Sequence, residues 1–452
     1  MLLLNPPAVR PVFRDHYCSS EAKAAYLWQP LDLVVQAAVL QRAGVPCAAV
    51  DAIAEGLDLD DVLQRVRAFR PDAAVVLLSC RTWDQDRRTL QALRAAGVRL
   101  IVGSGDFLRF GTAPSQEASD LGLVDFVLTD FTTCHLPEVL AGEGAARPGL
   151  VPLSDALQGR FSPLDSAPLD YPVLDPLSFD PGHYRLPYPG FTRVASVLAT
   201  YGCPWSCLYC HVGELAVRLR PTDLVCADFA RVRASGLRSV YVRDATSNAS
   251  PRYLAEWTAA IERAGLAMPW ATFVTARPFD DALAARMAGA GCLHLQVGVE
   301  TLDDELRRAN GKPVSTDDHR RFVRTCHRHG LQATAHVVLG LHGETAETLA
   351  ATADGLAAMD FDYVAINLAE SRPGIPWSAQ GVRLAVDPLS GAARADQERA
   401  GPSLEDLRAA QRRAYRSVYL RPRRLLRELG GRLRARDFAD LAPLVRTLAG
   451  WR

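Results

Sequence analysis

The sequence predicts an α/β protein built from two parallel-sheet units and closed by a helical C-terminal segment. Its 452 residues exceed the ~250 to 300 at which a single hydrophobic core stops growing. Two stretches alternate short apolar runs with amphipathic ones, the βαβα order that favours a parallel sheet covered by helices. Between them, residues 141–190 are rich in Pro and Gly and hold no sustained period, as expected of a segment wrapping between domains. The expected division is therefore 1–140, a linker at 141–190, a second unit at 191–375 and a helical region at 376–452.

In the first unit the apolar runs 2–4, 47–50, 73–78, 99–102 and 125–128 read as strands, and 31–43, 59–69 and 84–96 as helices. This is a doubly wound, Rossmann-like pattern. Such sheets bind ligands beyond the carboxyl ends of their strands, here around Asn5, Ser79, Gly103 and Thr129. No G-x-G-x-x-G follows the first strand, which disfavours a dinucleotide. In the second unit six runs read as strands, at 195–199, 239–243, 270–274, 293–298, 333–339 and 363–368, with helical spacers such as 254–264 and 281–288. Six βα units make a partial (β/α)6 relative of the TIM-type barrel, whose chemistry gathers on loops at the carboxyl ends of strands. From Ser403 the chain reads as a helical, solvated cap carrying Arg408, Arg412, Arg413, Arg416, Arg421, Arg423 and Arg424.

Basic and acidic side chains balance at 51 each, so no global field draws the protein to nucleic acid or anionic lipid. No apolar run reaches the ~18 residues of a membrane span, and the first residues are too short a run for a secretory signal. A soluble, cytoplasmic protein is expected. Seven of the ten cysteines (18, 47, 80, 134, 226, 292 and 326) are dispersed like buried hydrophobes of a reducing compartment.

The other three, Cys203, Cys207 and Cys210, fall within eight residues just after the first strand of the second unit. Three thiolates can hold three irons of a four-iron cluster and leave the fourth iron to an exogenous ligand. Structural zinc, with His211 or a distant cysteine as fourth ligand, and a Cys207/Cys210 disulfide are the alternatives.

The spacing C-x3-C-x2-C, with Tyr209 before the last cysteine, resembles the radical S-adenosylmethionine (SAM) superfamily over residues 190 to about 375. The resemblance implies a [4Fe-4S] cluster whose open iron is chelated by SAM, and a 5′-deoxyadenosyl radical that abstracts a substrate hydrogen. Gly298-Val-Glu300-Thr301 matches the family's GxES segment, which makes Glu300 a SAM contact, with Tyr209 beside the cluster. Gly340-Leu-His342-Gly343-Glu344-Thr345 is similar to the family's G-x-P-G-E-T, with His342 in place of proline. Asp244 and Asn248 stand where relatives carry D-D-x-F-T-x-N and would line the SAM or substrate pocket, or else cap a turn. Thr275 and Arg277 end the third strand, and Arg277 would meet the SAM carboxylate or form a surface ion pair. His294 and His336 read as satisfied strand histidines.

A doubly wound domain ahead of such a barrel resembles the cobalamin-dependent class. The D-x-H-x-x-G motif of histidine-ligated cobalt is absent and the first strand ends in Asn5-Pro6-Pro7, so a different axial environment is implied; His16 is the one histidine near that loop. Ser79 stands near the expected nucleotide tail, followed by Arg81 where leucine is usual, and Thr82 and Trp83 would face the lower side of the corrin. Gly103, Ser104 and Gly105 occupy the place where missing Cβ atoms let backbone approach the tail. Thr129 opens Thr129-Asp-Phe-Thr-Thr133, where relatives carry G-E-G-E. A degenerate domain that binds no cofactor is the alternative.

Together these features imply a cobalamin-dependent radical SAM methyltransferase acting on an unactivated carbon or phosphorus of a small-molecule biosynthetic intermediate. It would use SAM, cobalamin and an external electron donor such as flavodoxin or ferredoxin. Cyclisation, rearrangement or oxidation with the same cofactors, and a non-catalytic iron-sulfur or cobalamin-sensing role, are the rivals. A methylthiotransferase would carry further clustered cysteines and an RNA-binding tail, and neither is evident.

Overall fold

The strands of the first sheet are the apolar runs of the sequence, and they are buried on both faces, as a helix-covered parallel sheet requires. The computed structural model describes residues 1–14, 19–21, 26–142, 146–161, 168–370, 375–376, 384–386, 393–395 and 401–420. His16, Cys18, Arg421, Arg423 and Arg424 lie outside the described residues.

In chain order the strands of interest are β1 (Leu2–Asn5), β2 (Val12–Arg14), β3 (Ser19–Glu21), β4 (Ala48–Asp51), β5 (Ala73–Leu77), β6 (Leu100–Ser104), β7 (Phe126–Leu128) and β8 (Leu150–Pro152). The first sheet runs β4-β1-β5-β6-β7-β8, parallel except for β8, which pairs antiparallel with β7. The topological switch falls between β1 and β5, so Asn5 and the Ser79 loop flank the expected crevice. The segment expected as linker thus contributes an element of the sheet: β8 lies at 150–152, past residue 140. A run of Pro and Gly conceals a three-residue edge strand, because so short a strand shows no period of its own.

The second sheet contains β9 (Val194–Val197), β12 (Ser239–Val242), β13 (Trp270–Val274), β14 (Cys292–Glu300), β15 (Gln332–Leu339) and β16 (Tyr363–Leu368), with a small hairpin of β10 (Thr200–Tyr201) and β11 (Arg218–Leu219) above it. Its order, β16-β15-β14-β13-β12-β9, is parallel throughout and leaves β9 and β16 as free edges. Both edges are covered. On β9, Ser196 N donates to Gln29 Oε1 at 2.9 Å and Val194 N to Tyr184 O at 3.1 Å. On β16, the hydroxyls of Tyr419 and Tyr415 accept from Val364 N and Ile366 N, each at 3.0 Å. Both tyrosines lie on the C-terminal helix Leu404–Tyr419, which buries Leu407, Ala410, Ala414 and Val418 while Arg408, Arg412, Arg413 and Arg416 stay exposed. The predicted solvated cap therefore also closes a sheet edge.

Helix Leu31–Arg42 is buried from Leu31 to Leu40, and its neighbours Leu198 and Tyr201 come from the second unit, so the two sheets share one core. Its two polar members are tied into the neighbouring loops: Ser104 Oγ donates to Asp32 Oδ2 at 2.8 Å, and Gln36 Nε2 donates to the carbonyls of Phe131 and Thr133, while Gln36 Oε1 is buried without a partner. No helix among the described residues is long and apolar enough to cross a membrane.

Candidate functional site

All three clustered cysteines lie on residues 202–217, the loop of the β10–β11 hairpin at the carboxyl end of β9. They are free thiols: Cys207 is buried, Cys203 and Cys210 half-buried. Cys207 Sγ reaches Gly311 O at 3.9 Å, and a Cβ on Gly311 would stand 2.6 Å from Ser206 O, so only glycine lets the loop after β14 lie this close. Burial pushes all three thiols up, Cys210 to about 12, while the nearby Lys312 ammonium pulls Cys203 and Cys207 back down. Among the described residues no three His, Cys, Asp or Glu side chains are grouped around a single metal ion. The donor set, three thiols with a cation beside them, fits an iron-sulfur cluster.

Glu300 ends β14 with φ +64°, a strained backbone for a non-glycine residue. Its Oε1 accepts from Lys312 Nζ at 2.7 Å, and the pair lies across Gly298, where any Cβ would overlap both groups. Tyr209 packs with Leu306, Leu341 and Ala369 on the same side, and its hydroxyl meets Cys207. Asp244, Asn248 and Thr275 are committed to holding strand ends. Asp244 Oδ1 accepts from the amides of Ala199 and Thr200, each at 2.8 Å, and its Oδ2 from Ser247 at 2.7 Å. Asn248 donates to the carbonyls of Thr275 and Pro278 and accepts from Thr275 N at 2.8 Å. Arg277 is exposed beyond β13, and His342 is exposed in a turn that the buried Glu344 closes through Gly340 N.

At the first sheet, Asn5, Ser79 and Thr82 come together around an ion pair that sequence reasoning missed. Arg14 of β2 meets Asp86 at 2.7 Å with both side chains fully buried. It also donates to Asn5 Oδ1 at 2.9 Å and Thr82 Oγ1 at 3.2 Å, while Asp86 accepts from Ser79 N and Thr82 Oγ1. These side chains hold one another, leaving backbone and rim atoms to face a ligand. Trp83 turns into the domain core, edge-on to Phe107, with its indole N–H on Glu117 at 2.6 Å. A face toward the corrin is thus not what its packing offers. The Cβ directions of Gly103 and Gly105 point at Leu108 Cδ1 (2.7 Å) and Leu78 O (2.6 Å), so these glycines admit the protein's own packing. Ser104 is taken by Asp32. Thr129 differs from all of these: its hydroxyl is buried and without a partner, the kind of atom a bound ligand satisfies.

Between the sheets, Trp28 stacks on Phe13 at 3.6 Å and meets Tyr241 edge-on, and the Arg243 guanidinium lies 4.4 Å above Trp28. Inside the barrel, Gln296 links Tyr241 OH and His336 Nε2, each at 3.0 Å. His294 sits lower, stacked on Tyr188 and bonded to Thr334, and burial drives it down to about 3. Arg81 of the first unit pairs with Glu370, just past the end of β16.

Lys312 had one signal in the composition. The chain uses arginine almost exclusively and holds only two lysines, Lys23 and Lys312. At Lys312 a compact ammonium lies where a Cβ on Gly298 would stand only 2.3 Å from its Nζ, a closer fit than a planar guanidinium suits.

Compared with known proteins, residues 197–356 match the Radical SAM superfamily. An uncharacterized methyltransferase of Pyrococcus horikoshii is 22% identical over 404 residues, 84% of this chain and 85% of the relative. The radical SAM methyltransferase TsrM from Kitasatospora setae, solved with tryptophan substrate and a SAM analogue, superposes with a TM-score of 0.65 at 19% identity, over 85% of this chain and 77% of its own. The cobalamin-dependent SAM radical enzyme OxsB, solved with aqua-cobalamin and SAM, gives 0.65 at 11% identity, over 86% of this chain and 64% of its own. This chain thus shares its fold with TsrM and OxsB.

Proposed function

We propose, from the match of residues 197–356 to the Radical SAM superfamily, that the protein is a cobalamin-dependent radical SAM methyltransferase acting on an unactivated carbon, or phosphorus, of a small biosynthetic intermediate. The observation that carries this reading is one of position. The free cysteine trio stands at the carboxyl end of β9, and the strand-end loop of the first sheet, Thr129–Thr133, is docked on the base of the same hairpin. Two strand-end segments, one from each sheet, thereby meet at one hairpin.

Cys203, Cys207 and Cys210 would hold three irons of a [4Fe-4S] cluster. Glu300 and Lys312, beside them, offer one carboxylate and one ammonium to the amino and carboxylate groups of SAM, with Tyr209 and Arg277 at the rim. Thr129, with Asn5, Ser79 and Thr82, would border the corrin, and Gly103, Ser104 and Gly105 would serve it through the packing they make within the domain. When bound, the cluster with SAM supplies a hydrogen-abstracting radical and the corrin a transferable methyl group. The chain's own share is geometry: Asp244 fixes the backbone ahead of the cysteine loop, Glu300 and Lys312 fix each other, and Arg243 and Tyr241 hold Trp28 of the first domain against the barrel. An external one-electron donor, such as flavodoxin or ferredoxin, is part of the proposal. So is a small substrate, the role that tryptophan has in TsrM.

The test is anaerobic reconstitution with iron, sulfide and hydroxocobalamin, followed by spectroscopy and an assay for 5′-deoxyadenosine. A product heavier by one methylene supports methyl transfer. SAM cleavage without mass gain points to cyclisation, rearrangement or oxidation. Cluster absorption without a retained corrin removes the methyltransferase reading, and a loaded protein that cannot cleave SAM is a binding or sensing protein.

A further inference from the structure

The hairpin that carries the cysteine loop is held from two sides. Its base is one pair of rungs, Thr200 opposite Leu219 and Tyr201 opposite Arg218. The barrel holds the inner rung: Asp244 accepts from Thr200 N, and Arg220 N and the Tyr253 hydroxyl both donate to Ala199 O, at 2.9 and 3.2 Å. The first domain holds the outer one. Arg218 pairs with Asp130 and donates to Thr132 Oγ1 at 3.0 Å, its guanidinium lies 4.5 Å from the Tyr201 ring, and Phe131 meets that ring edge-on at 5.8 Å.

This outer clamp is dry, with Arg218 and Asp130 only 4% and 8% exposed. Separating a buried ion pair is costly because each charge would be left without its partner. The turn that supplies the clamp is itself built. Thr132 donates twice to Asp130 Oδ1, at 2.9 and 2.7 Å, and Gln36 ties down the carbonyls on either side of Thr132. It follows directly on Thr129, whose buried hydroxyl has no partner. A ligand on the Thr129 hydroxyl would thus adjoin the turn that seats Arg218, and Arg218 in turn holds the base of the hairpin whose loop bears the cysteines.

We propose that Arg218 is a positioning residue that couples the two sites, so that a corrin at Thr129 and SAM at the cysteine loop each tighten the other's binding. The inference rests on the corrin reading above and adds to it a direction and a route. If the seated hairpin is the state both ligands prefer, thermodynamic linkage requires the two effects to be equal.

The experiment uses the full chain reconstituted with iron and sulfide and kept without reductant, so that SAM binds uncleaved. Hydroxocobalamin is titrated by quenching of tryptophan fluorescence, with and without saturating SAM, and SAM is titrated in the reverse order. In the unaltered protein, SAM should tighten hydroxocobalamin binding about fivefold or more, and hydroxocobalamin should tighten SAM by the same factor. Arg218→Ala should bring both ratios to one, with Arg218→Lys between, since it keeps the charge and loses the planar fork. Thr132→Val, which leaves the Arg218 to Asp130 pair intact, should lower the ratio partway and serves if Arg218→Ala does not fold. Equal affinities with and without SAM in the unaltered protein, or full coupling in a folded Arg218 or Thr132 variant, would overturn the proposal alone. Absence of any hydroxocobalamin binding would overturn the corrin reading and the coupling with it.

Discussion

The Lys312 ammonium lies 2.7 Å from Glu300 Oε1, with both side chains less than a tenth exposed, directly beside the cysteine loop. Removing one partner of such a pair leaves an unpaired buried charge, which costs about 3 to 5 kcal/mol, whereas replacing both with uncharged groups is far milder. Lys312→Met should therefore destabilise the cluster-free protein by that amount in urea unfolding, and Glu300→Gln with Lys312→Met should recover most of it. Lys312→Arg should not rescue, because the pair is pressed against Gly298 with no room for a planar guanidinium. A fully stable Lys312→Met protein would show the pair to be solvated.

Asp244 gives a pH dependence whose sign follows from burial. Desolvation raises its carboxyl from 3.8 to about 6, and the hydrogen bonds from Ala199, Thr200 and Ser247 offset only part of that cost. Between about pH 4 and pH 6 the folded state holds a proton that the unfolded state has released, so this group's contribution falls as pH rises through that window and is flat above it. The Asp244→Asn variant would keep one side-chain carbonyl oxygen facing both amides and has no proton to exchange. Relative to Asp244→Asn, the unaltered cluster-free protein should lose about 1 to 3 kcal/mol between pH 4.5 and 7.5. Parallel stability curves for the two proteins would refute the buried carboxylate.

How far the sequence reaches is seen by comparing these residues with the cysteines. The cysteine loop was legible because its thiols are local, three of one kind within eight residues, and the strands because a parallel sheet buried on both faces needs continuous apolar runs. Arg14, Lys312 and Arg218 were not, since each acts through a partner 72, 12 or 88 residues away and looks in sequence like any surface cation. The same limit explains Asp244, Asn248 and Thr275. Their places at strand ends were read correctly from the period, but whether a polar side chain faces a ligand or its own backbone depends on neighbouring strands.

The C-terminal helix should prove part of the barrel. Tyr415 and Tyr419 present hydroxyls to the free edge of β16, accepting from Ile366 N and Val364 N and donating back to the carbonyls of the same residues. Tyr415→Phe and Tyr419→Phe should each cost about 1 to 2 kcal/mol, as expected for leaving a buried amide unpaired. Hydrogen exchange should localise the change to the amides of Val364 and Ile366. Unchanged exchange there would mean the helix covers the edge without pairing it.

Thr129 separates a ligand site from a packing defect, because the two predict opposite outcomes of one substitution. Its hydroxyl is buried at the end of β7 with no partner, while its amide is already bonded to Gly149 O at 3.0 Å. A buried hydroxyl without a hydrogen bond costs about 1 to 3 kcal/mol, a penalty that valine of nearly the same shape avoids. Thr129→Val should therefore raise the stability of the corrin-free protein by about 1 kcal/mol. The same change should weaken hydroxocobalamin binding roughly tenfold, since a donor or acceptor facing the corrin would be gone. Stability is read by urea unfolding and affinity by fluorescence quenching on the same preparation. Gain in one with loss in the other marks a group kept for its ligand; gain in stability with unaltered hydroxocobalamin affinity would remove Thr129 from the site, and with it the end of the route that leads through Asp130 to Arg218.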